Sequence, residues 1–345
     1  MSTKYRTLLI GLGKIGAAYV DDVSMSETVP YATHAQVLAA HPSFVWHGAV
    51  DTSQAANEFV RARFGVERTG TSLEDIPALD QVDVAVLATP PSSRTRMLAA
   101  MPNLKAVLVE KPLGGTLAQS QRFVEECRRR GVVTQVNLTR RCDAVMGELA
   151  RGAREERVGR VQCGFGTYGN GVVNYATHTV DLVRMLVGEV TAVQAMPRAR
   201  GYTEGPIAGD RNLSFTLFVG KAPITLHPVR FSAYREGSLD LWGEKGRLEL
   251  LQEGLRVRET PRRPCRSLDG AFELDSDSAA LRDTGYGRAL FDLYDDLAAV
   301  LDGKRSATRS PCESALATER VVHAIIESAK NDGAVIEVHP DVGKG

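Results

Sequence analysis

The chain has 345 residues, 43% hydrophobic and 24% charged, with 42 basic residues set against 42 acidic ones. That length exceeds one comfortable hydrophobic core, so two domains are expected, and the balanced charge excludes the basic excess of a nucleic-acid binder. The five cysteines are odd in number and lack C-x-x-C spacing, which excludes a disulfide framework and a zinc knuckle, and no apolar run suits a bilayer span or a signal peptide. The expectation is a cytoplasmic protein with reduced thiols, no metal, no membrane and no nucleic-acid partner.

The first 136 residues alternate strand and helix patterns. Tyr5–Ile10 is a short apolar run ended by Gly11, Phe44–Val50 is a second ended by Asp51, and Val82–Ala88 is a β-branched run suited to a strand buried on both faces. Lys105–Val109 and Val132–Val136 follow. Between them Ser53–Phe64, Ser92–Met101 and Leu117–Arg130 carry helical spacing, the last stopped by Gly131. Repeated β-α units with short connections predict a doubly wound parallel sheet, a Rossmann domain over residues 1–136.

From residue 137 the pattern changes. A helix is expected at Ala144–Arg151, a Gly-broken stretch at Val161–Gly171, and a second helix at Asn174–Val187, stopped by Gly188. Strand-like segments come at Val190–Ala195, Asn212–Val219, Pro223–His227 and Ser238–Trp242, and the turn Gly243–Gly246 leads into Arg247–Leu251. Residues 258–285, rich in Arg, Asp and Ser, read as a long surface loop, and helices at Arg288–Leu301 and Glu313–Asn331 close the chain. This predicts an α+β domain over residues 137–345 with a large, mostly antiparallel open sheet, its last helix able to pack on the first domain.

The chemistry begins at Gly11-Leu12-Gly13-Lys14-Ile15-Gly16, a G-x-G-x-x-G between the first strand and a helix. Gly11 permits the tight turn, Gly13 lets the backbone approach a pyrophosphate, and Gly16 lets helix and strand pack closely. A dinucleotide held there would lie against Gly11, Gly13, Lys14, Ile15 and Gly16. Asp51 ends the second strand, where a carboxylate accepts the ribose hydroxyls and repels a 2′-phosphate; Thr52 follows it in place of an arginine, so NAD is favoured over NADP. Asp51 lies further past Gly16 than the usual ~20 residues, as if Asp21–Thr33 were inserted before a helix His34–Ala40. As a plainer role, Asp51 would serve as a turn residue after a strand.

Glu110-Lys111-Pro112-Leu113-Gly114 follows the strand Lys105–Val109. Ligands of open α/β sheets bind outside the carboxyl ends of strands, which puts Lys111 on the nicotinamide side, and Pro112 biases it toward an extended backbone. A solvated Glu110–Lys111 pair is the plainer alternative. On the helix Asn174–Val187, the spacing of Asn174, His178 and Asp181 puts all three on one face of a largely apolar element, where a lone histidine would ordinarily be a satisfied core residue.

Together these pieces resemble the glucose–fructose oxidoreductase, inositol dehydrogenase and rhizopine catabolism (Gfo/Idh/MocA) family. The matching segments are Gly11–Gly16, Ala88–Ser92, Glu110–Thr116, Asn174–Leu182, Gly243–Leu250 and the closing helix. The resemblance implies a Rossmann domain with Thr89, Pro90, Glu110 and Lys111 also at the cofactor, and a second domain whose open sheet builds a homodimer or homotetramer. It implies reversible hydride transfer between a nicotinamide and a secondary alcohol or ketone carbon of a small-molecule sugar, cyclitol or related ring. Lys111 and His178 would hold the reacting oxygen, with Asn174 at a position where the family pattern carries aspartate. Arg141 and Asp181 would be offered to substrate, although an ion pair is the plainer role for Arg141 and a structural carboxylate for Asp181. A regulator that binds dinucleotide or sugar without turnover, and a reductase of an imine or non-sugar ring, are the alternative functions.

Overall fold

The computed structural model describes residues 4–197 and 201–339, so the expected domains extend at residues 1–3, 198–200 and 340–345 outside the described residues. The chain divides into two compact units, Met1–Cys142 with Tyr286–Leu316 and Asp143–Gly285 with Ala317–Gly345. This corrects the expected division at residue 136. The first unit runs six residues further and takes back the segment that begins at Tyr286, because that segment supplies one of the helical covers of its sheet.

In the first unit, β1 (Tyr5–Ile10), β2 (Phe44–Val50), β3 (Thr69–Gly70), β4 (Val84–Leu87), β5 (Ala106–Val109) and β6 (Val133–Val136) form a sheet of order β3-β2-β1-β4-β5-β6. Every pairing in it is parallel. Alternate side chains point to opposite faces. Leu9, Ala49, Val84, Val86 and Leu108 enter one core, and Leu8, Ile10, Ala85, Leu87, Val107 and Val109 the other. The helices of this unit before residue 143 are α1 (Val23–Thr28), α2 (His34–Ala40), α3 (Gln54–Phe64), α4 (Arg94–Ala99) and α5 (Leu117–Arg129). β4 and β5 are buried throughout, as expected of parallel strands covered on both faces.

The second unit opens with α6 (Ala144–Glu148), a wide π-turn at Leu149–Ala153 and α7 (Arg154–Val158). The helix expected at Ala144–Arg151 thus continues past a break at Gly152, whose φ is +127°. Its strands are β7 (Val161–Tyr168), β8 (Ala192–Ala195), β9 (Tyr202–Thr203), β10 (Arg211–Asn212), β11 (Phe215–Val219), β12 (Ala222–Pro228), β13 (Ser238–Gly243), β14 (Gly246–Leu251), β15 (Arg256–Pro264), β16 (Phe272–Leu274), β17 (Ala280–Asp283) and β18 (Ile336–Glu337). The large sheet has the order β16-β15-β14-β13-β7-β12-β11-β8-β18, with β17 also on β15. Its pairings are antiparallel except that of β12 with β7. One face packs on α8 (Thr177–Leu186) through Val180, Val183, Phe215, Leu217, Ile224 and Leu241.

Two expectations fail here for physical reasons. The Gly-broken stretch is the central strand β7. A Cβ at Gly164 would lie 2.8 Å from Ile224 Cδ1 and 2.9 Å from Leu241 Cδ2, so this glycine makes room for side chains of neighbouring strands. Residues 258–285 hold most of β15 and all of β16 and β17, stitched by ion pairs such as Arg263–Glu273 and Arg282–Glu259. Alternating opposite charges on adjacent strands give a sheet edge the composition of a loop.

The last helices are α9 (Ala289–Leu301) and α10 (Cys312–Lys330). It is α9 that covers the first unit's sheet, through Leu290, Leu293, Tyr294 and Leu297. The division between units crosses α10 after Leu316, so only its first turn belongs there. Among the described residues no helix is long and apolar enough to cross a membrane.

Candidate active site

The carboxyl end of β1 stands between β2 and β4, where the strand order reverses. Gly11 leaves β1 with φ +95°, and a Cβ there would overlap the Ala88 carbonyl. A Cβ on Gly16 would overlap the Gly11 carbonyl. Both glycines are demanded by the protein's own packing. Gly13 differs, because a Cβ there would meet no protein atom within 4 Å. It opens a cradle above the turn, as a bound pyrophosphate requires. Lys14 is exposed, its Nζ 6.0 Å from the Tyr19 ring centre, and Ile15 is half-buried.

The helix expected after this turn is a short one. Ala17 and Ala18 N–H donate to Gly13 O, and a 3-10 turn at Ala18–Asp21 follows before α1. The chain then returns to the place it left. His34 N–H donates to Ile15 O at 3.0 Å and Ala35 N–H to Gly16 O at 2.9 Å, so α2 resumes the interrupted helix. Thr33 and Gln36 form a capping box at that restart.

Asp51 is half-buried at the end of β2. Its Oδ2 accepts from Leu12 N–H at 2.7 Å and its Oδ1 from Ser53 N–H at 2.9 Å. The carboxylate therefore ties the glycine turn to β2 and still has lone pairs for further donors.

After β4, Thr89 is half-buried and Pro90 exposed. Arg94 on α4 is 2% exposed and turns its guanidinium back on this loop. It donates to Thr89 O at 2.6 Å through Nη2, to Glu110 O at 2.6 Å through Nη1, and also to Pro112 O. The two last carbonyls flank Lys111, which is half-buried and joined to Pro112 by a cis peptide bond. Arg94 is not legible as a buried residue in the sequence, because arginine at a helix start ordinarily faces solvent.

Glu110 is the most elaborately held side chain of the set. Its Oε1 accepts from His34 Nε2 at 3.0 Å and from Asn137 Nδ2, and His34 Nδ1 meets the Tyr294 hydroxyl at 2.9 Å. Burial works to raise its carboxyl, but the His34 and Asn137 bonds and the charge of Lys111 hold it below the usual carboxylate range. Burial, together with the Glu110 charge, pushes the Tyr294 hydroxyl well above the usual tyrosine range. His34 and Tyr294 escaped the sequence analysis; the Thr33–Gln36 capping box was the one legible sign that a helix begins at His34.

In the second unit Asn174 and His178 lie near the start of the helical stretch Val172–Leu186, though not on one regular α-helix. Asn174 sits in a wider π-turn, Val172–Ala176, and His178 in α8. Asp210 caps this start, accepting from Val173 N–H at 3.1 Å and Asn174 N–H at 2.9 Å, while Asn212 Oδ1 accepts from Gly171 N–H at 2.8 Å. The His178 ring stands edge-on to Tyr175, centres 5.8 Å apart, and Tyr175 lies 5.6 Å from Phe231. Asp181 turns elsewhere. It is 2% exposed and accepts from Thr318 Oγ1 at 2.9 Å, with Arg184 3.8 Å away. Its carboxylate is thus engaged in packing against α10. Arg141, in the first unit, is half-buried in the 3-10 turn Thr139–Cys142, and its neighbour Arg140 stacks 4.6 Å from the Tyr286 ring centre.

Residues 5–138 match a family model described as an oxidoreductase family with an NAD-binding Rossmann fold. Over 202 residues the chain is 28% identical to trans-1,2-dihydrobenzene-1,2-diol dehydrogenase of Oryctolagus cuniculus, covering 54% of this chain and 58% of that one. Over 214 residues it is 25% identical to scyllo-inositol 2-dehydrogenase (NAD(+)) of Bacillus subtilis, covering 57% and 58%. The chain thus spans 58% of the length of either curated relative. In fold it is similar, with a TM-score of 0.73 and 21% identity, to the WlbA dehydrogenase from Bordetella pertussis in complex with NADH and UDP-GlcNAcA, over 99% of this chain and 100% of that one. The match to the Gfo/Idh/MocA oxidoreductase family model is confined to residues 5–138, the part described as its NAD-binding Rossmann fold.

Proposed function

We propose that the chain is an NAD-dependent dehydrogenase of a secondary alcohol or ketone carbon on a sugar, cyclitol or related ring. The observation that carries this reading is the Gly13 cradle at the strand-order reversal, with Lys111 held at the carboxyl end of β5 in the same unit. The relatives support it by name, acting on a cyclic diol and a cyclitol.

The residues divide the work. The N–H groups and open face of the Gly11–Gly16 turn would hold the pyrophosphate, with Lys14 and Ile15 at its rim and Thr89 and Pro90 along the next loop. Asp51 would take the ribose hydroxyls on its remaining lone pairs and disfavour a 2′-phosphate, so NAD is preferred to NADP. The bound nicotinamide supplies the acceptor or donor of the hydride. Lys111 would take the hydroxyl proton during oxidation and return it during reduction, and His178, oriented by the neutral amide of Asn174, would hydrogen-bond the substrate. The first unit would hold dinucleotide and the second substrate.

A homodimer or homotetramer through the open face of the large sheet accompanies this reading. Phe165 is 52% exposed on β7 and Trp242 37% exposed on β13, on adjacent strands. A mass of one chain by light scattering at micromolar concentration would contradict it.

The test is Lys111→Met. Turnover should fall by two orders of magnitude or more, on the order of 3 kcal/mol in barrier, while NADH binding followed by fluorescence stays within about twofold. Full turnover in that variant sinks the mechanism.

A further inference from the structure

We propose that His34 is a positioning residue for Lys111: its Nε2–H holds the Glu110 carboxylate and so fixes a negative charge next to the Lys111 ammonium. The inference rests on the reading of Lys111 as the group that meets the substrate oxygen.

His34 is the first residue of α2, beyond the inserted segment, and is 0% exposed. A buried imidazole must have both nitrogens satisfied, and these are. The Glu110 carboxylate only accepts, so Nε2 carries the hydrogen, and in the neutral imidazole Nδ1 then accepts from the O–H of Tyr294, which keeps its proton. The tautomer follows from the two partners. The same residue's backbone N–H is bonded to Ile15 O, inside the glycine turn. His34 therefore joins the dinucleotide turn to the Glu110–Lys111 segment by two hydrogen bonds of 3.0 Å, across an insertion that could have separated them. A core histidine needs two partners but not these two, a carboxylate that sets the tautomer and adjoins the proposed catalytic lysine, and a hydroxyl that donates to Nδ1.

Titratable and charged groups from several elements face this pair among the described residues. Tyr294 comes from α9, Lys111 adjoins Glu110 in the chain, and the Arg94 guanidinium meets the Glu110 carbonyl. Behind Tyr294 lies His41, its ring centre 6.1 Å away, paired with Asp295. Removing the His34 donor leaves Glu110 with Asn137 and less reason to stay ionised, and a neutral Glu110 no longer favours the Lys111 cation.

Three variants test this with two readouts. One is the pH dependence of Lys111 modification by an amine-reactive reagent, quantified by peptide mass spectrometry, which needs no substrate. The other is the pH profile of kcat on a turned-over ring alcohol. His34→Leu should move both midpoints down by about one pH unit. His34→Gln, whose amide N–H reaches where Nε2–H stood, should restore them. Glu110→Gln should reproduce the His34→Leu shift, and the double variant should add nothing to it. If His34→Leu and His34→Gln lose thermal stability alike and leave the Lys111 midpoint in place, His34 is merely structural and the proposal fails. If the modification midpoint moves while the kcat profile does not, the positioning stands and the catalytic reading of Lys111 fails instead.

Discussion

The Glu110–Gly114 segment and the helical stretch from Val172 to Leu186 carry the two side chains read as catalytic, and they are fixed by different means. Around Lys111 the fixing groups are buried side chains, with Arg94 on the flanking carbonyls and His34 and Asn137 on Glu110. Around His178 they are buried side-chain acceptors of backbone N–H groups, Asp210 and Asn212 at the helix start. The first device sets one residue and its charge rigidly. The second sets where a helix begins and leaves the outward side chains to the loop that supplies the caps. A cofactor common to many enzymes suits the first, and a substrate that differs among relatives suits the second.

That contrast breaks most visibly at Arg94. Arg94→Leu should cost on the order of 3–5 kcal/mol in denaturant unfolding, because the buried Thr89, Glu110 and Pro112 carbonyls lose their donor. Arg94→Lys should recover a minor part, since an ammonium lacks the planar fork that reaches all three. A loss under about 1 kcal/mol for Arg94→Leu would mean the segment holds itself.

At the other region Asp210→Ala should cost about 1–2 kcal/mol, the ordinary worth of a helix N-cap, and should raise KM for substrate more than it alters NADH binding. Unchanged KM with unchanged stability would show that Val172–Leu186 needs no cap. The smallest effect is in acid. Glu110 lies below the usual carboxylate range, so its contribution is fully present above the unfolded pKa of about 4.3 and is lost as pH falls through its lower folded value. Glu110→Gln should therefore flatten the fall of stability below about pH 4, as read by thermal melts across pH.

These particulars also show what the sequence alone could reveal. The glycine turn was legible because Gly11, Gly13 and Gly16 answer local demands of turn, cradle and packing, all within six residues. Asp51 was legible for the same reason, at a strand end. β7 was misread because Gly164 answers to Ile224 and Leu241, which lie far along the chain. The 258–285 segment was misread because its strands pair by charge rather than by apolar alternation. The Asp181 partner Thr318 is 137 residues away and could not be read from its neighbours, and His34 was missed because Glu110 and Tyr294 are 76 and 260 residues away. Local geometry leaves its mark on neighbouring residues, whereas a buried polar network is written only in the tertiary structure.

The measurement closest to the central claim is direct turnover. Purified protein with NAD and a panel of cyclitols, free sugars, sugar acids and nucleotide sugars, followed by the absorbance of NADH, should show oxidation of at least one ring alcohol, with one ketone formed per NADH, and the reverse reaction should consume it. If no member of the panel turns over in either direction, while NADH binds and a sugar changes that binding, the chain is a sensor on this fold and the dehydrogenase reading is contradicted.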